Sequence, residues 1–319
     1  MKTIIFREDV RLDSGCVATI GCFDGVHLGH RLLIGMMMQK AKERGLQSAV
    51  ITFDRQPREI FDPKFCPQLL STQREKAEAL EALGVDLLVV LPFTKKLASL
   101  SAQAFMQQVL HDRLNVSMLI VGYDHRFGHN RTEGFDDYVR YGQVMGMEVL
   151  QGGVAYFQGK EKAVSSSVIR QLLKEGKVRM IQEGLARPYS LTGRVIQGEH
   201  IGHVLGFPTA NLEVDDPHKL IPAAGVYAVW AVVNGERLPA MMNIGTRPTF
   251  EGTAQTLEVH ILDKVGDLYG KMLTVEFVEW LRDERPFAQP KDLIEQLQRD
   301  REQALSSLKE STSILNLNS

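Results

Sequence analysis

The stretch Cys16-Val17-Ala18-Thr19-Ile20-Gly21-Cys22-Phe23-Asp24-Gly25-Val26-His27-Leu28-Gly29-His30 is followed by Arg31 to Arg44, where Leu32, Leu33, Met36, Met37 and Ala41 share one helical face before Gly45. The short apolar run ending at a glycine predicts a buried strand. The 3.6-residue spacing after it predicts a helix closed by Gly45. The same alternation continues downstream. Ser48 to Phe53 reads as a strand, and Thr72 with Glu75 forms a capping box that opens a helix running to Leu83 and stopping at Gly84. Leu87 to Leu91 reads as a strand, Ser101 to Arg113 as a helix, and Met118 to Val121 as a further strand. Strands alternating with helices predict a Rossmann-like α/β domain, an open parallel sheet covered by helices. Such sheets hold ligands at the carboxyl ends of their strands.

The pattern changes near Leu185-Ala186-Arg187-Pro188-Tyr189. Beyond it lie Val226 to Val233, an Asn234-Gly235 pair suited to a tight type I′ hairpin, and strand-like runs at Leu238 to Ile244, Thr256 to Leu262 and Lys271 to Trp280. Pro290 to about Leu308 reads as helical. This half is expected to be a small antiparallel β-barrel with a terminal helix. The expected division is a first domain over 1–184, a second over 185–308, and a flexible tail over 309–319.

With 319 residues the chain has room for two cores. Its 44% hydrophobic and 24% charged fractions are those of a globular protein. No segment offers the roughly 18 apolar residues of a membrane helix, and charge interrupts Met1 to Asp9 too early for a signal peptide. A cytoplasmic location without membrane association is expected. The net charge of −2, with dispersed Lys and Arg, lacks the basic track of a nucleic-acid binder. Cys16, Cys22 and Cys66 are unclustered, which argues against zinc, a redox pair or a disulfide framework. A monomer or weak homo-oligomer is expected.

Two segments of the first half suit phosphate chemistry. In the turn from Gly21 to His30, glycines at 21, 25 and 29 allow close backbone approach, and the following helix start favours anions. His27 and His30, three residues apart, can reach one small volume and stabilise charge on a triphosphate. A glycine-rich turn with two surface histidines is the plain alternative. Val164-Ser165-Ser166-Ser167-Val168-Ile169-Arg170 supplies capping serines for a helix that stops at Gly176, and Arg170 could clamp phosphate. Plain helix capping is the alternative there.

Together these segments resemble the HxGH and ISSTxxR signatures of the nucleotidyltransferase superfamily, with Val164 and Ser167 in place of the usual Ile and Thr. Gly21 to His30 is similar to the GxFDGxHxGH loop of FMN adenylyltransferases. Gly122-Tyr123-Asp124-His125-Arg126-Phe127-Gly128 resembles their GxDFxFG segment, with His125 in place of Phe. Gln56 replaces the histidine the family has before Pro57. The resemblance, over about 14–184, implies an ATP site made by Gly21, Phe23, Asp24, Gly25, His27, His30, Ser165, Ser166, Ser167 and Arg170. It implies flavin contacts from Asp124 and Arg126, with His27, His30 and Arg170 serving catalysis.

The second half has no GxxxxGK[ST] loop. Instead, Gly202-His203-Val204-Leu205-Gly206-Phe207-Pro208-Thr209-Ala210-Asn211-Leu212 combines glycines with the hard oxygen donors of Thr209 and Asn211, which suit Mg²⁺. A simple Pro-Thr turn is the alternative. The segment resembles the GxxLGFPTANL motif of riboflavin kinases, with His203 where Arg or Lys is frequent. Gly225 to Ala228, Asn243 to Phe250, Leu257 to Asp263, Asp267 to Gly270 and Leu281 to Phe287 follow that family's order. The likeness, over about 187–305, implies a bacterial bifunctional riboflavin kinase/FMN adenylyltransferase.

Riboflavin, FMN and ATP are then the small-molecule partners, FMN and FAD being substrate and product rather than prosthetic groups. Gly202, Gly206, Pro208, Thr209 and Asn211 would bind the kinase ATP, Thr209 and Asn211 would hold Mg²⁺, Asn243 and Arg247 would meet the flavin, and Glu258 would be the general base. A carboxylate suits that role because a primary alcohol is a poor nucleophile. His260, two residues along the same strand face, is read as a supporting side chain. Trp230, Trp280 and Tyr269 are read as barrel packing, with ring stacking on the flavin as the alternative. Two further readings remain: an adenylyl- or cytidylyltransferase for another phosphate ester, and a non-catalytic flavin-binding module.

Overall fold

The structure, a computed structural model, describes all residues except 63, 198–206, 250–251, 264–265 and 318–319, and no side chains at 247–249, 252–254 and 312–317. The chain divides into two compact units, Met1–Ser166 and Ser167–Ser319.

In chain order the first unit contains β1 (Lys2–Ile5), β2 (Cys16–Ile20), α1 (Leu28–Arg44), β3 (Gln47–Phe53), α2 (Pro57–Phe61), α3 (Gln73–Ala82), β4 (Leu87–Leu91), α4 (Lys95–Ala98), α5 (Ala102–Phe105), β5 (Val116–Val121), α6 (Phe135–Met145) and β6 (Glu148–Gln151). All six strands are parallel, in the order β1-β4-β3-β2-β5-β6. Every residue of β2 is buried, as a central strand covered on both faces requires. Its alternate residues feed different cores. Cys16, Ala18 and Ile20 join Ile51, Val89 and Leu119 on one face, while Val17 joins Val50, Leu88 and Met118 on the other. Strand order reverses at β2, between β3 and β5, and ligand crevices form at such a reversal.

The structure adds α2, α4, α6 and β6, which the sequence reading did not name, and changes other elements. Helix α1 starts at Leu28 rather than Arg31, because the His27 side chain caps it by accepting a hydrogen bond from His30 N. The expected helix 101–113 begins as α5, capped by Ser101 Oγ, and then widens into a π-helical segment, Met106–His111. The wider turn keeps Met106, Val109 and Leu110 on the core side. Strand β1, too short and charged at its start to announce itself, pairs with β4 at the sheet edge.

The second unit contains α7 (Ser166–Lys174), α8 (Val178–Leu185), β7 (Tyr189–Ile196), β8 (Ala210–Val214), β9 (Gly225–Val233), β10 (Glu236–Thr249), β11 (Gly252–Ile261), β12 (Met272–Arg282) and α9 (Pro290–Leu317). Helix α7 therefore opens the second compact unit. The N–H of Ala223, just before β9, donates to Leu173 O of that helix at 2.9 Å. The strands close an antiparallel barrel in the order β10-β11-β8-β7-β12-β9. Asn234 and Gly235, with φ of 52° and 84°, make the expected left-handed hairpin turn between β9 and β10.

Helix α9 packs Ala304 and Leu308 on Ala228, Met241 and Val278 of the barrel. Burial of a leucine such as Leu308 contributes about 2 kcal/mol. The helix continues past its expected end near Leu308, so residues 309–317, read from sequence as tail, are helical. Ser311 there is buried and accepts from Trp230 Nε1. Asp300, 1% exposed, accepts from Arg282 Nε at 2.9 Å and ties α9 to β12. Among the described residues no helix is long and apolar enough to cross a membrane.

The barrel also fixes a glycine. A Cβ at Gly193 would stand 2.1 Å from Glu213 O across the β7–β8 pair, so the strands meet there only without a side chain. Gly193→Ala is expected to destabilise the second unit by about 3 kcal/mol, read as a lower midpoint in thermal or urea unfolding; an unchanged midpoint would contradict this close approach.

Candidate active site

The first candidate site begins where β2 ends, beside the reversal in strand order. Phe23, Gly25 and Val26 have φ of 47°, 84° and 43°. For a β-branched residue such as Val26 this is a strained conformation, which persists only where surroundings enforce it. Asp24 provides that enforcement. Its buried Oδ1 accepts from the N–H groups of Leu70 and Ser71 at 2.9 and 3.0 Å, and Gly25 N donates to Ser71 Oγ at 2.9 Å. Ser166 Oγ donates to Asp24 O at 2.9 Å, and a Cβ at Gly29 would lie 3.3 Å from Val164 O. The two segments far apart in sequence, 21–30 and 164–166, are therefore in contact. The structure uses the Asp24 carboxylate to hold the loop and leaves backbone and histidines to line it.

His27 is buried, and its Nδ1 accepts from His30 N at 3.3 Å. In its neutral form the ring then carries its proton on Nε2. The rings of His27 and His30 stack with centroids 3.6 Å apart, and Phe23 meets His30 edge-on at 5.1 Å. His30 Nδ1 is covered and finds no hydrogen-bond partner among the described residues. Burial, followed by the positive fields of His27, Lys76 and His125, holds His30 well below the ordinary histidine range. Two stacked imidazoles at the start of α1 offer ring nitrogens that suit an anionic group.

Ser165 is half-buried and Ser167 exposed, while Arg170, half-buried, stands one turn into α7 in the second unit. Gly21, buried, donates its N–H to Ile51 O.

Lys76 escaped the sequence reading. It is 6% exposed on the inner face of α3, four residues before the buried Leu80. Its Nζ donates to Thr52 Oγ1 at 3.2 Å, and Thr52 Oγ1 donates to Cys22 O at 3.2 Å. A lysine at an apolar helical position was the available signal.

The loop after β5 leaves the strand that pairs with β2. Asp124 and Arg126 are exposed while Phe127 turns inward and stacks on Tyr138 at 4.2 Å. Phe127 N donates to Tyr138 Oη at 3.0 Å, which fixes the loop. His125, where the resembled family has Phe, is enclosed, with its Nε2 lacking a hydrogen-bond partner. Burial pulls its pKa down to about 4, so it is neutral at pH 7. Gln56 opens α2, its N–H donating to Glu59 Oε1 at 2.5 Å.

In the second unit the barrel register assembles another constellation. Glu258 of β11 lies opposite Asn211 of β8 on one side and Asn243 of β10 on the other. Leu257 and Val259 are buried, so Glu258 and its two cross-strand partners share the face away from the barrel core. His260, on the same face, donates from Nδ1 to Pro208 O at 2.8 Å and holds the segment that carries Thr209. A Cβ at Gly245 would meet Glu284 Oε1 at 2.6 Å, placing that carboxylate over β10 two residues from Asn243. Sequence reasoning gave Glu284 no role.

Arg247 stands opposite Ala254 in the register, and Gly202, His203 and Gly206 lie outside the described residues. Trp230 is covered by the Arg237 guanidinium at 4.9 Å, whereas Tyr269 and Trp280 are exposed. Among the described residues no three His, Cys, Asp or Glu side chains gather as a metal site. Thr209 and Asn211, two residues apart and both half-buried, offer instead the neutral oxygens that suit Mg²⁺ shared with nucleotide phosphates.

Comparison with known proteins separates the same two regions. The FAD synthetase family model matches residues 9–168, and the riboflavin kinase model matches 185–308. The bifunctional riboflavin kinase/FMN adenylyltransferase of Escherichia coli K12 is 38% identical over 293 residues, covering 90% of each chain. That of Pseudomonas fluorescens is 40% identical over 275 residues, covering 86% of this chain and 87% of its own. That of Bacillus subtilis is 35% identical over 318 residues, covering 96% and 98%. The crystal structure of a macrolide-efflux protein from Streptococcus pneumoniae superposes with a TM-score of 0.88 at 30% identity, covering 94% of this chain and 97% of that one.

Proposed function

The chain belongs to the bifunctional riboflavin kinase/FMN adenylyltransferase family and is an enzyme of flavin cofactor biosynthesis, and from that premise we propose how its residues divide the work. The kinase reaction belongs to 185–308 and the adenylyl transfer to 1–184. The efflux designation of the pneumococcal structure is not carried over, because both enzyme models and the bifunctional relatives match this chain over the same residues.

In the kinase site Thr209 and Asn211 would hold Mg²⁺ with ATP, and the bound ion would supply neutralisation of charge on the phosphates. Asn243 and Arg247 meet the flavin, and Pro208, Gly202 and Gly206 shape the nucleotide loop. The riboflavin 5′-hydroxyl oxygen bonds to the γ-phosphorus as the bond to the β-bridging oxygen breaks. The hydroxyl proton passes to Glu258, and ADP leaves. The observation that carries this reading is the cross-strand row Asn211–Glu258–Asn243, which sets the base between a nucleotide-side and a flavin-side residue.

In the adenylyltransferase site an FMN phosphate oxygen bonds to the α-phosphorus of a second ATP and pyrophosphate departs. A phosphate monoester is already ionised near pH 7, so this step needs positioning and charge stabilisation rather than a strong base. His27 and His30 donate to the phosphates, Gly21, Phe23, Asp24 and Gly25 set the loop, Ser165, Ser166, Ser167 and Arg170 hold the polyphosphate, and Asp124 and Arg126 border the flavin nucleotide. A cytoplasmic address belongs to the same proposal, since both steps consume ATP.

The test is a time course with riboflavin, excess ATP and Mg²⁺, the flavins resolved by chromatography. FMN should rise and then give way to FAD. FMN that accumulates without FAD would reject the adenylyltransferase assignment, and no conversion at all would reject both.

A further inference from the structure

Lys76 is a buried cation that the mechanism above does not use. Its ammonium has a neutral hydroxyl, Thr52 Oγ1, as hydrogen-bond partner, and no carboxylate among the described residues lies within ion-pair distance of it. Asp24 on the loop favours the charged form of Lys76 through its field, while its Oδ1 accepts from Leu70 N and Ser71 N. Keeping an ammonium in such a place is costly, by several kcal/mol. A neutral side chain could brace Thr52 equally well, so the charge calls for its own explanation.

The surroundings supply one. Thr52, the penultimate residue of the neighbouring strand β3, passes the contact on to Cys22 O, the carbonyl at the start of the histidine loop. Lys76 also lies close enough to His30 to lower its proton affinity, and burial lowers that of Lys76 itself. The titratable groups around Lys76 are Cys22 and Asp24 of that loop and His30 at the start of α1. Lys76 therefore stands at the base of the histidine loop proposed to hold ATP phosphates, with no carboxylate among the described residues paired to it directly.

We propose that Lys76 is a positioning residue for adenylyl transfer, bracing the histidine loop through Thr52 and Cys22 and supplying a fixed positive charge that the ATP polyphosphate balances. This rests on the reading of that loop as the ATP site. The two parts of the role separate chemically: glutamine at 76 keeps a donor for Thr52 without the charge, arginine keeps the charge, and Thr52→Val breaks the brace while leaving the lysine.

The experiment measures steady-state FAD formation from FMN and ATP for Lys76→Gln, Lys76→Arg and Thr52→Val, with thermal unfolding of each variant. Lys76→Gln should lower kcat about 30-fold with KM for FMN within about 3-fold, in the range expected for a lost electrostatic contact to the transition state. Lys76→Arg should recover most of that loss, and Thr52→Val should lose less than Lys76→Gln. A Lys76→Gln kcat within about 3-fold of the parent would overturn the proposal, as would a loss matched by Thr52→Val and not recovered by arginine. If Lys76→Gln does not fold, Lys76→Arg and Thr52→Val decide: arginine more active than Thr52→Val supports the charge, and the reverse order overturns it. His27→Ala is assayed alongside. Full activity there would reject the ATP-site reading itself, an outcome distinct from a silent Lys76.

Discussion

Glu258→Ala should stop FMN formation, lowering kinase kcat by about 10²- to 10⁴-fold, while added FMN is still converted to FAD. The expectation follows from register. Buried Leu257 and Val259 flank Glu258, so its side chain takes the opposite face of β11, and the adjoining strands set Asn211 and Asn243 beside it. Glu258→Gln tests the chemistry more sharply, because it keeps size and hydrogen bonding and removes the ability to take a proton. Both variants should be equally impaired if the carboxylate accepts the hydroxyl proton. A glutamine variant with near-parental FMN production would mean that Glu258 only shapes the face and that the proton leaves by another route. Retained adenylylation in the same preparation controls for expression and handling, since it depends on the other region of the chain.

The parts of this molecule that sequence made legible are those set by local rules. The apolar run of β2, the capping box at Thr72 and Glu75, and the Asn234-Gly235 turn each follow from a few neighbouring residues. The motifs at 21–30 and 164–170 could be matched to a family, yet their contact through Ser166 Oγ and Asp24 O is a fact of tertiary structure. Asp24 entered the reading through the resemblance of its loop, and only the fold shows its Oδ1 accepting from the backbone N–H groups of Leu70 and Ser71. Lys76 passed unnoticed, since a lysine in a helix is ordinarily on its wet face. The row Asn211–Glu258–Asn243 joins β8 to the consecutive strands β10 and β11, and only the ladder brings these residues level. Helix α1 began earlier than its periodicity because the capping group is a histidine, not one of the residues that usually mark a start.

That cap makes His27 the subject of the second large effect. Its Nδ1 accepts the His30 N–H, which fixes the proton of the neutral ring on Nε2, and the stacked His30 ring limits its motion. Two roles are therefore mixed in one side chain: starting α1 and presenting a donor to phosphate. Alanine removes both, and His27→Ala should cost about 10²- to 10³-fold in adenylylation kcat, the range for a lost donor to developing charge, with FMN formation from riboflavin unchanged. Asparagine separates the roles. It is among the best N-caps, and its side-chain oxygen can take the His30 N–H, but it carries no donor where Nε2 stood. If the donor matters, His27→Asn should be nearly as slow as His27→Ala while melting close to the parent protein. If capping were the whole of His27's contribution, asparagine would restore adenylylation, and the histidine pair would have to be reassigned from chemistry to the opening of α1.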